Sequence, residues 1–547
     1  MVLILMSKEA LRETEIQPRQ ENFNNFIEKR QKSANTLLCV GLDLDIDHPQ
    51  FPKDLIRPYG DVGLTLRDVG KTIIDATHDL VCAYKPNIAF YEQYGTAGMN
   101  ALEETIEYIR EKDPEIAVIG DMKRADIGNT NLGYAKAAYD YLGVDAVTVN
   151  PYFGGEALLP FLNRKDKGVV ILCRTSNQGA KDIQDDKVYL KNLSEEAFKF
   201  FANLEGVVEG IDHNSNLAQI YERAYIREYQ KVAYMAAFEW NKNNNITLVV
   251  GATYPEEMKK VRKIVGDEML LLIPGLGAQG GKVEDISKGY NTKIGGEIAN
   301  ISRAVIFPKL QENETYAQAV RREAMKWRNE INVSRREIRI KQIFNKTKAI
   351  IANSHIVYTN GEHGSSYINK DAIYPHSEEI WELCGMFAED FKDKEIDVVA
   401  GPAVGGVILE SLTAQHLTKI TGRTIHGVYA EKQPDGSFVF GRGYSAFIVG
   451  KNILVTEDVL TTGGSAAEVI KAINKLGGKI IGLAVLADRR EDKTKDIEGI
   501  KVNALAKIDM EKYKSDSCIL CETGVDINTQ VGKGKEFLAK KQTSGAQ

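Results

Sequence analysis

The chain has 547 residues and a formal net charge of -6, and its composition is 43% hydrophobic and 27% charged. This length suggests two to four domains, and the composition is that of an ordinary globular protein. The acidic balance argues against nucleic acid as the main partner, and no apolar run approaches the ~18 residues of a membrane span. Residues 1–6 lack the charged region and cleavage site of a signal peptide. The six scattered cysteines favour a reducing, cytoplasmic setting.

Eight short apolar runs alternate with longer, helix-sized stretches in the first part of the chain. This alternation predicts a parallel α/β fold, and eight is the strand count of a closed (β/α)8 barrel. The long interval 181–240 predicts extra helices at 194–201 and 217–240. The eight runs span residues 37–41, 80–84, 117–120, 146–149, 169–173, 246–250, 270–273 and 304–306.

Polar residues gather where these runs end, and the C-terminal ends of the strands form the catalytic face of such a barrel. Arg303 differs, because it stands at the start of the eighth run. A glycine-rich segment, 274–281, follows the seventh run. The other polar residues at run ends are Asp43, Lys85, Asn87, Asp121, Lys123, Asn150, Arg174, Thr175 and Ser176.

The densest of these segments places two acids and a lysine within six residues. Asp121 and Lys123 are two apart on a strand, so they should share a face. Asp126 lies past the strand end, where the chain turns. Such charges are costly to bury without mutual pairing, which indicates a paired site. A surface charge cluster is the plain alternative.

A second α/β domain follows a predicted helix whose apolar residues recur from 316 to 331. The polar segment 332–337 marks the boundary, so the predicted domains are 1–330 and 331–547. Within the second domain, an apolar strand delivers Glu457 and Asp458 to a Thr/Gly-rich loop at 461–465, before a helix that opens at Ala466. A loop of backbone N–H groups at a helix N-terminus can bind an anion. The tail from Gly532 is predicted to be loose.

The barrel motifs resemble those of orotidine 5'-phosphate decarboxylases over about residues 20–310. They are Lys-Pro-Asn at 85–87, Asp-x-Lys-x-x-Asp-Ile-x-x-Thr at 121–130, and Pro-Gly-x-Gly-Ala-Gln-Gly-Gly at 274–281. The resemblance implies a homo-oligomer, at least a dimer, that decarboxylates its substrate without a cofactor. The resemblance also implies a charged array of Lys85, Asp121, Lys123 and Asp126, in which Asp126, together with Thr130, comes from the neighbouring subunit. Asp43, Lys85 and Asn87 would contact the ribose. Thr175 and Ser176 would contact the pyrimidine, and Gln279 and Arg303 would hold the 5'-phosphate.

The second domain resembles type I phosphoribosyltransferases, and most closely the orotate phosphoribosyltransferases, over about residues 340–530. Residues 398–406 resemble the pyrophosphate loop, and Arg489 would hold orotate. The segment 429–432 would begin the mobile catalytic loop, which runs to Arg442, and Lys432 would neutralise charge on the leaving group. That loop lacks the clustered lysines and histidine of the commonest bacterial pattern. The resemblance implies Mg2+ bound mainly through pyrophosphate oxygens. The implied phosphoribosyl diphosphate site comprises Glu457, Asp458, Thr461, Thr462, Gly463, Gly464 and Ser465.

The whole chain resembles the bifunctional UMP synthases, with the decarboxylase first, the reverse of the animal order. The implied substrates and products are orotate, phosphoribosyl diphosphate, orotidine 5'-phosphate and UMP, with no nucleic-acid or membrane partner. An alternative is an Mg2+-dependent sugar-phosphate aldolase or decarboxylase barrel fused to a non-catalytic domain that senses phosphoribosyl diphosphate.

A Cys-x-x-Cys pair, Cys518 and Cys521, stands near the C-terminus. Structural zinc normally takes four ligands, and neither another cysteine pair nor a histidine lies nearby in the sequence. The pair is therefore predicted to be structural or incidental, and no residue is predicted to bind a metal.

Overall fold

The structure, a computed structural model, describes residues 21–57, 60–210, 215–293, 295–358, 360–403 and 405–544. The expectation about residues 1–6 therefore lies outside the described residues. The chain forms two compact units that divide between Arg335 and Arg336. The helix Tyr316–Lys346 contains this point, so the polar segment 332–337 is helical. None of the described helices combines the length and the apolar character that crossing a membrane requires.

The first unit contains the predicted eight-stranded parallel barrel. Each strand pairs with the next along the chain, and β1 closes the barrel by pairing with both β2 and β8. Seven of the predicted apolar runs overlap strands. The strands are β1 (Leu38–Leu42), β2 (Ala83–Pro86), β3 (Ala117–Arg124), β4 (Ala146–Val149), β5 (Gly168–Arg174), β6 (Ile246–Val250), β7 (Leu270–Ile273) and β8 (Glu297–Ile301).

The predicted eighth strand at 304–306 is wrong. Residues Arg303–Ile306 form a helical turn, and the strand is Glu297–Ile301. Two polar residues concealed this strand from a search for apolar runs. Glu297 is fully buried, 3.5 Å from the guanidinium of Arg262, and Asn300 is buried in the cavity wall.

Helices surround the barrel, and one closes its N-terminal end. Phe23, Phe26 and Ile27 of the first helix pack against strand residues in one buried cluster. The predicted helix at 194–201 is present, whereas the predicted helix at 217–240 is interrupted by a strand, Tyr225–Arg227, that pairs with Lys187–Tyr189. The helices are Phe23–Ser33, Val62–Thr77, Ala89–Glu92, Gly95–Lys112, Gly128–Ala135, Gly154–Leu162, Lys181–Gln184, Glu195–Ala202, Leu217–Arg223, Glu228–Tyr234, Pro255–Val265 and Val283–Ile286, with π-helical turns at Lys136–Tyr141 and Met235–Trp240.

The second unit is a six-stranded sheet in the order β11-β10-β9-β12-β13-β14, parallel except for β11. Successive residues of β9 face opposite sides. Val399 joins a core with the helices Ser377–Phe391 and Gly406–Thr421, and Val398 joins a core with the helix Gly464–Lys475. Both faces of the sheet are therefore covered, as is usual for parallel strands. The strands are β9 (Val398–Pro402), β10 (His426–Lys432), β11 (Phe438–Val439), β12 (Asn452–Leu460), β13 (Lys479–Asp488) and β14 (Val502–Lys507).

Two short hairpins and a C-terminal segment complete the second unit. One hairpin pairs Ile350–Ile351 with Tyr367–Ile368, and the other pairs Ile356–Val357 with His363–Gly364. The tail that was expected to be loose contains a helix, Gly534–Ser544.

Candidate active sites

A cavity of about 840 Å³ opens at the C-terminal ends of the barrel strands. Its wall also includes Thr148, Asn300 and Ser302, which sequence reasoning missed. The predicted site residues that line it are Asp43, Lys85, Asn87, Asp121, Lys123, Thr175, Ser176, Gln279 and Arg303.

Asp121 is the centre of a charge network on this cavity wall. Its Oδ2 lies 2.6 Å from Lys85 Nζ and its Oδ1 lies 2.7 Å from Lys123 Nζ. Burial alone would raise the pKa of Asp121, but the two ammonium groups hold it well below its usual value. Burial alone would lower the pKa of Lys85, but the charges of Asp121 and Asp43 raise it. Asp121 and Lys85 are therefore both ionised at neutral pH, with their charges paired.

Thr148 fixes the position of this network. Its hydroxyl donates to Asp121 Oδ1 at 3.0 Å and accepts the backbone N–H groups of Met122 and Lys123 at 2.9 and 2.8 Å. These three bonds use its one donor and both acceptor sites. They hold the end of β3 where its pairing with β4 shifts and where Lys123 has a left-handed φ of 47°.

Asp43 projects from the loop after β1 with an unsatisfied oxygen. Its Oδ1 is buried and has no hydrogen-bond partner. Burial raises the pKa of the Asp43 carboxyl, and the nearby Lys85 opposes the shift. A ligand hydroxyl group would supply the missing donor.

The glycine-rich loop after β7 contains two residues in backbone conformations that favour glycine. Gly275 and Gly277 have φ angles of 101° and 71°, and a Cβ on Gly277 would lie 2.9 Å from the ring of Trp327. Gln279 of this loop and Arg303 reach the same cavity. Because β8 ends at Ile301, Arg303 follows a strand end like the other predicted residues.

Asp126 and Thr130 are absent from the lining of this cavity in the described part of the chain. Asp126 lies two residues beyond β3, and its Oδ1 accepts the N–H of Ile127 at 2.7 Å. Thr130 is exposed on the following helix.

The second candidate site lies at the end of β12, where Glu457 and Asp458 are both buried. Asp458 Oδ2 is 2.6 Å from Lys370 Nζ and accepts a bond from the Tyr374 hydroxyl at 3.3 Å. Burial and the charge of Asp458 raise the pKa of Glu457 to about 8. Sequence reasoning missed Lys370 and Tyr374, because a lone lysine and a lone tyrosine carry no motif.

The loop after β12 connects the acids to Arg489. Gly463 has a φ of 85°, and a Cβ there would lie 2.5 Å from Ile497, so the loop requires glycine. Arg489 donates from Nε to Thr461 Oγ1 at 3.1 Å and lies 5.4 Å over the ring of Tyr358. The predicted segment 461–465 thus follows the buried acid pair in the chain and contacts Arg489 through Thr461.

Two further predicted segments meet this edge of the sheet. A Cβ on Gly405 would lie 1.9 Å from Asp458 Oδ2, so the backbone at Gly405 approaches the acid too closely for a side chain. Lys432 ends β10, which is parallel to β9 and so ends at the same edge. Lys432 is exposed, and Arg442 bonds Glu431 at 2.9 Å.

Cys518 and Cys521, which the sequence predicts to be a structural or incidental pair, have two histidines beside them in the structure. His355 and His363, distant in sequence, place their ring nitrogens beside both sulfur atoms. The sequence did not reveal this cluster, because its ligands come from opposite ends of the second unit.

Comparison with known proteins separates the chain into the same two regions. A model of the "Orotidine 5'-phosphate decarboxylase / HUMPS family" matches residues 36–224, and a model of the "Phosphoribosyl transferase domain" matches residues 370–514.

Curated relatives cover the first region. Orotidine 5'-phosphate decarboxylase of Cellvibrio japonicus (strain Ueda107) is 42% identical over 316 residues, which are 57% of this chain and 99% of that protein. The protein of the same name from Janthinobacterium sp. (strain Marseille) is 40% identical over 311 residues, which are 56% of this chain and 98% of that protein. The solved structure of Leishmania donovani UMP synthase is 24% identical, with a TM-score of 0.46, and the match covers 89% of this chain and 94% of that chain.

Proposed function

The chain belongs to the orotidine 5'-phosphate decarboxylase family, and we propose that its two units catalyse the last two steps of UMP synthesis. The second unit joins orotate to phosphoribosyl diphosphate, giving orotidine 5'-phosphate and pyrophosphate. The first unit then removes CO2 from that product to give UMP. The observation that carries the proposal is the Lys85–Asp121–Lys123 network on the wall of the barrel cavity.

Decarboxylation leaves a carbanion at pyrimidine C6, so positive charge must be in place as negative charge develops. Lys123 is the exposed end of the network and can meet this carbon, stabilise the developing charge and then protonate it. Asp121 is ionised and lies against both lysines, so a substrate carboxylate placed beside it is repelled until CO2 leaves.

The remaining cavity residues fit the rest of the nucleotide. Asp43 Oδ1 has an unused acceptor site for a ribose hydroxyl, next to Lys85 and Asn87. Gln279 and Arg303 would hold the 5'-phosphate beside the glycine-rich loop, a common phosphate position in such barrels. Binding energy from this remote group serves to orient the reacting carbon.

In the second unit, the buried acids would bind the ribose hydroxyls. Residues 461–465, which include the N-terminus of the helix Gly464–Lys475, would bind the 5'-phosphate. Arg489 would hold the orotate carboxylate, and Lys432 would neutralise charge on the departing pyrophosphate. Arg489 already bonds the loop through Thr461, which supports a shared site.

Mg2+ fits the carboxylate oxygens of Glu457 and Asp458, because it is a hard cation that prefers oxygen ligands. Burial and the charge of Asp458 raise the pKa of Glu457, and a nearby cation would favour its ionised form. Mg2+ would be held mainly through the diphosphate, to which it supplies positive charge.

We also infer that the decarboxylase site is shared within a dimer. Apolar residues are exposed around Asp126, among them Ile127 at 63% and Tyr152 at 81% exposure. Asn131 links the carbonyl of Asp126 to that of Ala157, so the helices Gly128–Ala135 and Gly154–Leu162 form one surface. An apolar surface beside an acid that does not reach its own cavity supports contact with a second copy.

The test supplies the purified chain with orotate, phosphoribosyl diphosphate and Mg2+ and follows orotidine 5'-phosphate and UMP by chromatography. UMP should accumulate. EDTA should stop the first reaction, yet decarboxylation of added orotidine 5'-phosphate should continue, because both oxygens of Asp121 are already bonded to lysines. A decarboxylation that EDTA stops and Mg2+ restores would favour the Mg2+-dependent alternative. Binding of phosphoribosyl diphosphate without transfer would favour the sensing domain.

A further inference from the structure

Four metal-ligating side chains meet in the second unit, outside both candidate active sites. They are His355, His363, Cys518 and Cys521, and their ligand atoms all lie within 4.8 Å of one another. His355 Nε2 is 3.6 Å from Cys518 Sγ and 3.7 Å from Cys521 Sγ, and His363 Nδ1 is 3.4 Å from Cys521 Sγ.

These separations are those of the edges of a zinc tetrahedron. With Zn–N bonds of ~2.0–2.1 Å and Zn–S bonds of ~2.3 Å, tetrahedral angles place nitrogen and sulfur roughly 3.6 Å apart. The two ring nitrogens are 2.8 Å apart. They would need to separate by about 0.5 Å to admit the ion, which is a small adjustment of two side chains.

A backbone carbonyl orients the first histidine for metal binding. His355 Nδ1 lies 2.7 Å from the carbonyl oxygen of Val525 and can only donate to it. The proton is therefore on Nδ1, and Nε2 turns its lone pair toward the sulfur atoms. This arrangement, in which the other ring nitrogen of a ligand donates to a carbonyl, is typical of zinc sites.

Burial also favours a bound ion. His355, His363 and Cys518 are each at most 1% exposed, whereas Cys521 is exposed. The ring of His363 packs edge-on against Phe537, with the ring centroids 4.9 Å apart. The four side chains together offer two ring nitrogens and two sulfur atoms, which match the four ligand positions of a closed zinc site.

The cluster joins two distant segments of the chain. His355 precedes the hairpin Ile356–Val357/His363–Gly364, and His363 lies within it. Cys518 is the N-cap of the short helix Ile519–Glu522, and Cys521 lies within that helix. Backbone bonds reinforce the junction, because His363 and Tyr513 exchange two hydrogen bonds of 2.8 Å. A metal here would close a loop of more than 150 residues, which constrains the unfolded chain strongly.

We propose that His355, His363, Cys518 and Cys521 form a closed structural zinc site that fastens the C-terminal segment to the 356–364 hairpin. Four protein ligands leave no position for a substrate, so the site is structural. The hairpin carries Tyr358, whose ring lies under Arg489. The zinc therefore also positions one wall of the proposed orotate site, a consequence that rests on the proposed transferase function.

The direct test measures metal in the full chain, purified from zinc-supplemented cells without chelators. Elemental analysis should find about one zinc per chain. Cys518→Ser and Cys521→Ser should each lose most of it. The matched control, Cys384→Ser, removes a buried thiol of the helix Ser377–Phe391 that is not one of the four cluster residues, and it should keep the zinc. Folded parent protein without zinc, or cysteine variants that keep the full amount, would overturn the site.

Cobalt(II) gives a second readout if the variants fail to fold. Parent protein stripped with a chelator and titrated with cobalt(II) should show thiolate charge-transfer absorption and the intense visible bands of a tetrahedral ion. Zinc should displace the cobalt and raise the melting temperature. An octahedral spectrum, or none, would overturn the proposal whether or not the chain has transferase activity.

A third measurement separates positioning from catalysis. Loss of zinc should raise the KM for orotate more than it lowers kcat, and decarboxylation of added orotidine 5'-phosphate should be unchanged. Equal loss of both activities would contradict the link through Tyr358 and Arg489.

Discussion

Lys123 owes its orientation to its backbone as much as to its charge partner. Its φ of 47° is rarely adopted by a residue with a side chain, and Thr148 stabilises it by accepting its N–H. The ammonium is thereby directed back to Asp121, two residues earlier. Strain of this kind persists only where surrounding bonds determine the conformation.

Lys123→Ala should lower kcat for decarboxylation of added orotidine 5'-phosphate by at least about a hundredfold, because the proton donor is lost. Formation of orotidine 5'-phosphate from orotate should be unchanged, since that chemistry belongs to the second unit. Both rates can be followed by chromatography. Lys259→Ala removes an exposed lysine of the same unit and serves as the control. Near-normal UMP release by Lys123→Ala would show that another group protonates C6.

Glu410 provides a prediction about pH. It is 1% exposed on the helix Gly406–Thr421, its Oε2 has no hydrogen-bond partner, and burial raises its pKa to about 9. The Glu410 carboxyl thus keeps its proton in the folded state, whereas in the unfolded state it loses the proton above its ordinary pKa of ~4.3. The free energy of unfolding therefore falls as the pH rises from the unfolded pKa to the folded pKa of about 9. Glu410→Gln removes this cost, so its free energy of unfolding at pH 8 should exceed that of the parent by a few kcal/mol at most, and its melting temperature should be higher.

The advantage of Glu410→Gln should shrink as the pH falls toward 5, where both proteins carry a neutral group. Melting temperatures across this range test the expectation. Glu395→Gln, at an exposed position of the same unit, should show no such trend. A difference that is constant with pH would mean that the carboxyl is already ionised in the folded protein.

At the residue scale, sequence reasoning found the charged groups and missed their supports. Asp121 and Lys123 were recognisable because charges at the end of an apolar strand are rare. Thr148 and Lys370 were not, because a threonine within a strand is ordinary and a lysine in a short helical turn is usually solvated. Their importance comes from bonds to residues 27 and 88 positions away.

At the scale of elements, the barrel was predictable because seven of its strands are nearly continuous apolar runs. The eighth was misplaced, because Glu297 and Asn300 are buried through tertiary contacts that no local pattern reports. This error placed Arg303 at the start of a strand. The observed strand ends at Ile301, two residues before Arg303, and Arg303 lies in the cavity wall.

The glycine loop after β7 gives a prediction at this scale. Gly277→Ala forces a Cβ toward Trp327 and into a left-handed conformation, at a cost of roughly 1–2 kcal/mol. The loop should shift away from the proposed phosphate position, and KM for orotidine 5'-phosphate should rise roughly tenfold. Gly295→Ala, where the nearest atom to a Cβ is 4.0 Å away, is the control. An unchanged KM in folded Gly277→Ala would separate this loop from phosphate binding.

At the scale of the whole molecule, the proposed dimer can be tested by mixing two inactive variants. Lys123→Ala and Asp126→Ala chains should restore decarboxylation together, because one site of a mixed dimer carries both lesions and the other carries neither. With random exchange about half of the dimers are mixed, so about a quarter of the sites should be intact. Tagged chains must show that exchange has occurred. Exchange without recovered activity would place Asp126 in the site of its own subunit.

The order of the two domains could be anticipated from motifs, since each motif set is contiguous in the chain. The four-ligand cluster could not, because a Cys-x-x-Cys pair says nothing about histidines on a remote hairpin. Only the folded second unit brings them together.

The chain order of this cluster has a consequence for biosynthesis. Cys518 follows His355 by 163 residues, and every strand of the six-stranded sheet is translated between them. At ~5–20 residues per second, the histidine hairpin emerges roughly ten to thirty seconds before the cysteines. Two histidines alone supply only half of a zinc tetrahedron. The zinc would therefore bind only after every strand of the sheet in the second unit has been translated.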